Sequence, residues 1–410
     1  MIHQLHDHVL SPDTQAVLLL CGRFGRQQRD GAEPLTDSEY NALALWLQRC
    51  GLRPADLLGK DWQRSLDNGS PVPASRLQAL LDRGATLALA VESWSSKGLW
   101  VLSRSDEQYP RRLRKHKKPA PPILYGVGDA ALLSRGGLAV VGSRDVDEEA
   151  LDFARMVARA CAKQEMQVVS GGARGVDTEA TVAALEEGGS AVGVLTNGLA
   201  RAAVTGKYRE ALQEGRLVLI SPYDPGSGFN VGHAMQRNRH IYALADHGLV
   251  VNSSFGEGGT WSGAVEALKL GESVFVRLQG REIPEGNHRL EKMGGLPFPE
   301  DPWTDLAEKL QQTANDGKVI QEQLIPDSPL DEQTGKAGEP HEVSRAKTAY
   351  EAVLPLILER LEGPLESKAL AEHLDVNSKQ AQTWLKRAVE EEKVEKLKNP
   401  VRYVAAGRAR

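Results

Sequence analysis

Ser170-Gly171-Gly172-Ala173-Arg174-Gly175-Val176-Asp177 follows directly on the apolar run Gln167-Val168-Val169 and precedes a helix-like segment, Thr178 to Glu187. Its glycines therefore fall on a strand-to-helix turn. Glycine lets backbone approach an anion without an intervening Cβ, and the first N–H groups of the following helix point at that anion. Arg174 adds a planar fork of donors matched to phosphate. Many single glycine-rich turns are only tight turns. Here the arrangement recurs, and the recurrence decides the fold.

Short β-branched runs stand at Leu138-Ala139-Val140-Val141, Gln167-Val168-Val169, Ala191-Val192-Gly193-Val194, Leu217-Val218-Leu219-Ile220, Leu249-Val250-Val251 and Ser273-Val274-Phe275-Val276. Helix-length amphipathic stretches separate them, among them 148–163, 207–214 and 236–245. Strands alternating with helices predict an α/β fold built on a doubly wound parallel sheet. Such sheets bind ligands at the carboxyl ends of their strands.

Around this centre the pattern changes. Residues 1–105 read as a helical domain, with Asp37-Ser38-Glu39 opening one helix and 73–82 repeating the pattern. The basic segment 111–118, before Pro119-Ala120-Pro121-Pro122, is either a solvated connection or a phosphate-facing patch. The sheet domain is expected over 106–310. Residues 311–345 are polar and carry prolines and glycines, which predicts a flexible linker. From 346 to 410, three helical stretches and a short hairpin predict a winged helix-turn-helix.

Composition is that of an ordinary globular chain. Of 410 residues, 41% are hydrophobic and 26% charged, and the net charge is −5. A polyanion is thus not attracted by the sum of charges, and binding must come from local basic clusters. Cys21, Cys50 and Cys161 are far apart and form no metal or disulfide pattern. His3, His6 and His8 cluster near Asp7 without a second group of ligands, so no metal is expected. The first residues lack the basic start and apolar core of a secretion signal, and no run reaches the ~20 apolar residues of a membrane helix. A cytoplasmic protein is expected.

Each strand end offers something suited to a polyanion. Gly142-Ser143-Arg144 follows the first run, and the opening motif follows the second. Pro225-Gly226-Ser227-Gly228-Phe229 leads to Gln236-Arg237-Asn238-Arg239 after the fourth, and Gly256-Glu257-Gly258-Gly259-Thr260 opens a helix after the fifth. Singly, Arg237 and Arg239 read as structural ion pairs to Asp177 or Asp246. On one sheet edge together, Arg144, Arg174, Arg237 and Arg239 with the glycine turns make a track for successive phosphates. Asp177 has no nucleophile or paired carboxylate beside it, so it reads as an orienting or capping group rather than a base.

This ordered set, Gly142-Ser143-Arg144, Ser170 to Asp177, Arg237-Asn238-Arg239 and a late Gly-Thr turn, resembles the DprA/Smf DNA-processing family. Tyr109-Pro110 and Pro121-Pro122-Ile123-Leu124-Tyr125 resemble that family's approach to its first strand. The resemblance implies an extended Rossmann-like domain between an N-terminal helical domain and a C-terminal winged helix. It also implies single-stranded DNA binding without a cofactor, homodimerisation, and delivery of DNA to the RecA recombinase in transformation. Arg144, Arg174, Arg237 and Arg239 would contact phosphates, with Ser143, Ser170, Gly171, Gly172 and Asn238 shaping the pocket.

The chain departs from the family pattern at several points. Thr181 stands where many members have histidine, Val231-Gly232-His233-Ala234-Met235 replaces a Phe-Pro lead, and Val251-Asn252-Ser253 replaces Val-Glu-Ala. These mark a divergent branch, in which DNA sensing in phage defence or antitoxin-like control of a partner toxin is an alternative role. The enzyme alternative is a nucleotide N-glycosidase similar to the LOG phosphoribohydrolases, with Gly258-Gly259-Thr260 and Glu266 as a loose echo of their motif. Residues 343–410 hold 13 Lys and Arg against 10 Asp and Glu, a net of +3. Lys379, Lys386, Arg387 and Lys398 are there the candidates for a second DNA or partner surface, opposed by Glu390-Glu391-Glu392.

Overall fold

The computed structural model describes residues 10–24, 32–60, 62–65, 69–228 and 230–324, and in the C-terminal part 354, 357–358, 360–361, 363, 365–373, 378–391, 393–397 and 401–406. Two compact units, Met1–Pro326 and Asp327–Arg410, are separable. Among the described residues no helix is long and apolar enough to cross a membrane.

The first unit is built on nine strands: β1 (Trp100–Ser103), β2 (Ile123–Gly128), β3 (Leu138–Gly142), β4 (Val168–Ser170), β5 (Ala191–Val194), β6 (Leu217–Ser221), β7 (His247–Asn252), β8 (Val274–Val276) and β9 (Leu296–Pro297). Their order is β1-β2-β6-β5-β4-β3-β7-β8-β9. From β6 to β9 all neighbours are parallel, while β2 runs antiparallel to β6 and β1 antiparallel to β2. All six predicted runs are strands of this sheet. The two antiparallel strands at one edge and the short β9 at the other were not legible as strands. Gly126 and Gly128 interrupt the β pattern of β2, yet a Cβ on Gly126 would run into the Trp100 ring. That indole crosses the strand there and donates from Nε1 to the Gly128 carbonyl at 2.9 Å.

Both sheet faces are covered, which explains the near-continuous apolar runs. Ala139, Val141, Val169, Val192, Val218 and Val250 share one core with Ile241, Leu244, Ala264 and Ala267 of the helices Val231–Leu244 and Gly258–Lys269. Leu138, Val140, Val168 and Leu249 face the other way, onto the helices Glu148–Lys163 and Val176–Glu186. On this second face the helices of the first hundred residues cover the remaining strands. Leu18, Leu20, Leu43 and Leu77 share a core with Tyr125, Ala191, Leu217 and Leu219. The N-terminal helices are therefore a layer of the same unit, where the sequence suggested a domain of their own. The helix Asp37–Arg49 in this layer is fixed by a capping box, in which Glu39 N–H donates to the Thr36 hydroxyl and Thr36 N–H to the Glu39 carboxylate.

The first part of the predicted linker is a helix instead. The helix Leu306–Leu324 runs through positions 311–324, because Leu306, Leu310 and Ala314 form a stripe at spacing four that is buried with Phe298 and Trp303. Positions 325–345 lie outside the described residues.

In the second unit, the helices Ser367–His373 and Ser378–Glu390 precede an antiparallel hairpin of β10 (Val394–Leu397) and β11 (Arg402–Ala405). Leu365 bridges Tyr403 as a further antiparallel rung. Leu361, Leu370, Leu385, Ala388 and Val394 form a small separate core.

Candidate nucleic-acid interface

The strand order sets the position of the site. After β3 the chain builds β4, β5 and β6 outward on one side, then returns to place β7 on the other side of β3. The carboxyl ends of β3 and β7 thus diverge into the crevice where open α/β sheets hold ligands. A register irregularity between Val141 and Gly142 turns the end of β3 outward. Ser143 then anchors to β7, its N–H donating to the Asn252 carbonyl at 3.0 Å and its hydroxyl to the same oxygen at 3.3 Å.

The glycine turn after β4 folds against this first turn. Gly175 has φ +84°, and a Cβ there would lie 2.6 Å from the Arg144 carbonyl oxygen. Only glycine allows both the backbone angle and the approach. Ser170 is fully buried and donates its hydroxyl to the Val140 carbonyl at 2.7 Å, so it shapes the turn from beneath. Gly171 is also buried, whereas Gly172, with φ +63°, is exposed.

Asp177 and Arg237 meet below the turn. Arg237 is 5% exposed and Asp177 4%, and their Nη1 and Oδ2 are 3.8 Å apart. Burial pushes the Asp177 carboxyl above its ordinary range, opposed by Arg237 and by the N–H groups of Ala173, Gly142 and Gly171. Burial likewise lowers Arg237, with Asp177 opposing. One carboxylate thereby ties both glycine turns to a guanidinium. Arg237 Nε is buried without a hydrogen-bond partner, a costly state that a ligand oxygen would relieve.

Asn238, the next residue on the Val231–Leu244 helix, donates from Nδ2 to the Gly259 carbonyl at 2.6 Å. A Cβ on Gly263 would lie 2.8 Å from the Asn238 Cβ. These contacts hold the start of the Gly258–Lys269 helix against the cleft. That helix begins at Glu257 without a side-chain cap and carries no acid in its first turn, so its leading N–H groups are left for solvent or an anion. Gly142, Ser143, Arg144, Ala173, Arg237 and Gly259 are among the residues around the resulting cleft of about 630 Å³.

The four predicted arginines do not form one row. Arg144 is exposed at the cleft, and Arg174 is exposed beside it, paired with Asp145. Arg239 belongs elsewhere. Residues two apart on a helix point to nearly opposite sides, and Arg239 faces the N-terminal layer, with Nη2 3.9 Å from Asp37. Three of the six Lys and Arg residues of the basic segment 111–118 are taken up in structure: Arg112 pairs with Asp246 at 2.7 Å and Arg114 and Lys117 bond backbone carbonyls. In the second unit, Lys386 is exposed and Arg387 pairs with Glu391 at 2.9 Å. Lys379 lies in the second helix of that unit, and Lys398 lies outside the described residues, as do His3, His6 and His8. Among the described residues there is no group of three or more His, Cys, Asp or Glu placed to hold a metal.

The profile of the family described as DNA recombination-mediator protein A matches residues 100–297, which carry β1 to β9 and the whole cleft. Residues 100–297 belong to the DprA/Smf family. The chain is 27% identical to the DNA processing protein DprA of Bacillus subtilis over 196 residues, 46% of this chain and 64% of that protein. It is 32% identical to DprA of Streptococcus pneumoniae over 160 residues, 38% and 55% of the two chains. Against protein Smf of Escherichia coli the identity is 32% over 218 residues, 52% and 56%. The matched region thus spans a little more than half the length of these DprA/Smf relatives. The X-ray structure of DprA from Streptococcus pneumoniae shares the fold, with a TM-score of 0.54 over 70% of this chain and 94% of that one, at 24% identity.

Proposed function

We propose that this chain binds single-stranded DNA through the β3/β7 cleft and acts as a DNA-processing mediator rather than as an enzyme. The observation that carries the reading is Arg237, a guanidinium held nine-tenths buried by Asp177, with an unpartnered Nε, at a cleft that also receives an uncapped helix N-terminus. Such a site offers a phosphate preorganised donors and little else. Arg144 and Arg174 at the rim extend it along a backbone, and sequence-tolerant binding with strong salt dependence follows.

The glycosidase alternative has less support. Glu266 stands about two turns into the Gly258–Lys269 helix and is not among the residues around the cleft, whose carboxylates are Asp145, Asp177 and Glu257. Homodimerisation, a RecA-type recombinase or a toxin as partner, a transformation or defence role and a cytoplasmic setting belong to the same proposal through the family. So does a winged-helix reading of the second unit, with Lys379, Lys386, Arg387 and Lys398 as its second surface. Retention of a labelled oligothymidylate by Arg144→Glu tests the central claim. Each charge-assisted hydrogen bond removed is worth about 1.5–3 kcal/mol, or roughly 10- to 100-fold in affinity. Binding unchanged by that reversal would overturn the assignment of the cleft.

A further inference from the structure

A second cavity lies on the other side of the Val231–Leu244 helix, between the N-terminal layer and the chain leaving β6. Its volume is about 390 Å³, at the small end of the ~300–1,000 Å³ of small-molecule sites. Three of its lining residues each carry a buried polar atom that lacks a hydrogen-bond partner: Arg239 Nε, His233 Nδ1 and Ser227 Oγ. So many orphans around one cavity mark a place completed by a polar ligand.

The walls specify what kind. One is a flat aromatic slab, with the Tyr223 and His233 rings stacked at 3.8 Å and 7°. Facing chemistry is divided by charge. Arg239 offers donors, and Asp37 offers an acceptor 3.9 Å away. Both groups line the cavity. A planar heterocycle with acceptors on one edge and donors on the next fits this pair. Guanine presents N7 and O6 to an arginine, and its N1–H and exocyclic amine to a carboxylate. Adenine sets an amine where Arg239 needs an acceptor.

We propose that this cavity is a guanine-base site, built by Arg239 and Asp37 at its edges and Tyr223 on its face. The base arrives on a free guanine nucleotide or splayed from a bound DNA strand. In the second case the site rests on the strand-binding reading above; in the first it stands alone. Asp37 comes from the N-terminal layer, so this layer contributes directly to recognition.

The test is calorimetric titration of the full-length protein with GMP, AMP and XMP, followed by competition with oligothymidylate and an oligonucleotide containing guanine. GMP is expected to bind at least tenfold tighter than AMP. Asp37→Asn should lose at least tenfold for GMP and gain for XMP, because an asparagine amide donates to the C2 carbonyl that xanthine has in place of the amine. A gain of that kind does not arise from misfolding. Displacement of GMP only by the guanine-containing strand assigns the base to DNA, and its retention beside either strand assigns a free nucleotide; both support the site. Equal binding of GMP and AMP, no saturable GMP binding, or an Asp37→Asn protein with unchanged preference would overturn it. Arg144→Glu separates the two readings, since this exposed rim change leaves the buried Arg237–Asp177 pair in place and should weaken the oligothymidylate while leaving GMP affinity intact.

Discussion

Replacing Gly171 by alanine perturbs the strand cleft without removing a charge. Gly171 does not have a positive φ, so alanine is acceptable to the backbone and the effect is steric. A Cβ there would overlap the Arg237 guanidinium and lie 2.5 Å from Asp177 Oδ2. Something must move, and the end of the arginine is the softest neighbour. Over-packing of a filled interior costs about 1–3 kcal/mol, part of it here from stretching the Arg237–Asp177 pair. The unit keeps its sheet and loses a few degrees of melting temperature. Phosphate binding suffers more, because the guanidinium leaves the position that the cleft was built to hold. Losing one or two charge-assisted hydrogen bonds at about 1.5 kcal/mol or more each lowers affinity roughly 10- to 100-fold. Fluorescence anisotropy with a labelled oligothymidylate, paired with a thermal melt, reads both quantities. Wild-type affinity in Gly171→Ala would refute the claim that Arg237 binds phosphate from its buried position. Equal loss of fold and binding would show only a packing role.

Other expectations are as direct. Arg144→Ala should make binding less salt-dependent, lowering the slope of log affinity against log salt by about 0.7 for each phosphate that Arg144 neutralises on a single strand; an unchanged slope places Arg144 off the strand. Burial holds His240 down at about 3, neutral inside the fold. Because the unfolded chain protonates near 6.5, His240 contributes stability that is complete above that value and is lost as pH falls from 6.5 toward 3. Denaturant midpoints for His240→Gln should therefore decline less over that window than those of the native chain, and parallel curves would contradict this. Asp177→Ala leaves Arg237 buried without its counter-charge, which costs about 3–5 kcal/mol and is measurable by denaturant unfolding. A chain ending at Pro326 should retain the oligothymidylate, since every residue of the cleft lies in the first unit; loss of retention would move the binding surface to the second.

The alternation of β-branched runs with amphipathic stretches made the parallel sheet legible, because a strand buried on both faces must be apolar at nearly every position. The glycine turns were legible for the same local reason: a strand end that meets a helix within a few residues leaves few other choices. Edge strands β1 and β2 were hidden, since their pairing depends on a partner far along the chain and Gly126 and Gly128 obscure the period. The stripe Leu306, Leu310 and Ala314 was there to be read at helical spacing, but lay among polar residues that suggested a linker.

The sequence by itself determined the α/β class, the glycine-rich strand ends and the arginines available to them, all consequences of local periodicity and residue chemistry. Only tertiary structure decided which of those arginines lie at the same cleft. Arg237 and Arg239 are neighbours in sequence, yet helical geometry sends one to Asp177 under the glycine turns and the other to Asp37 in a separate cavity. Ser170 sits within a phosphate-like motif, yet the sheet takes its hydroxyl. The N-terminal helices read as a separate domain until the exposed half of a sheet face claimed their apolar sides, because that face had no other cover.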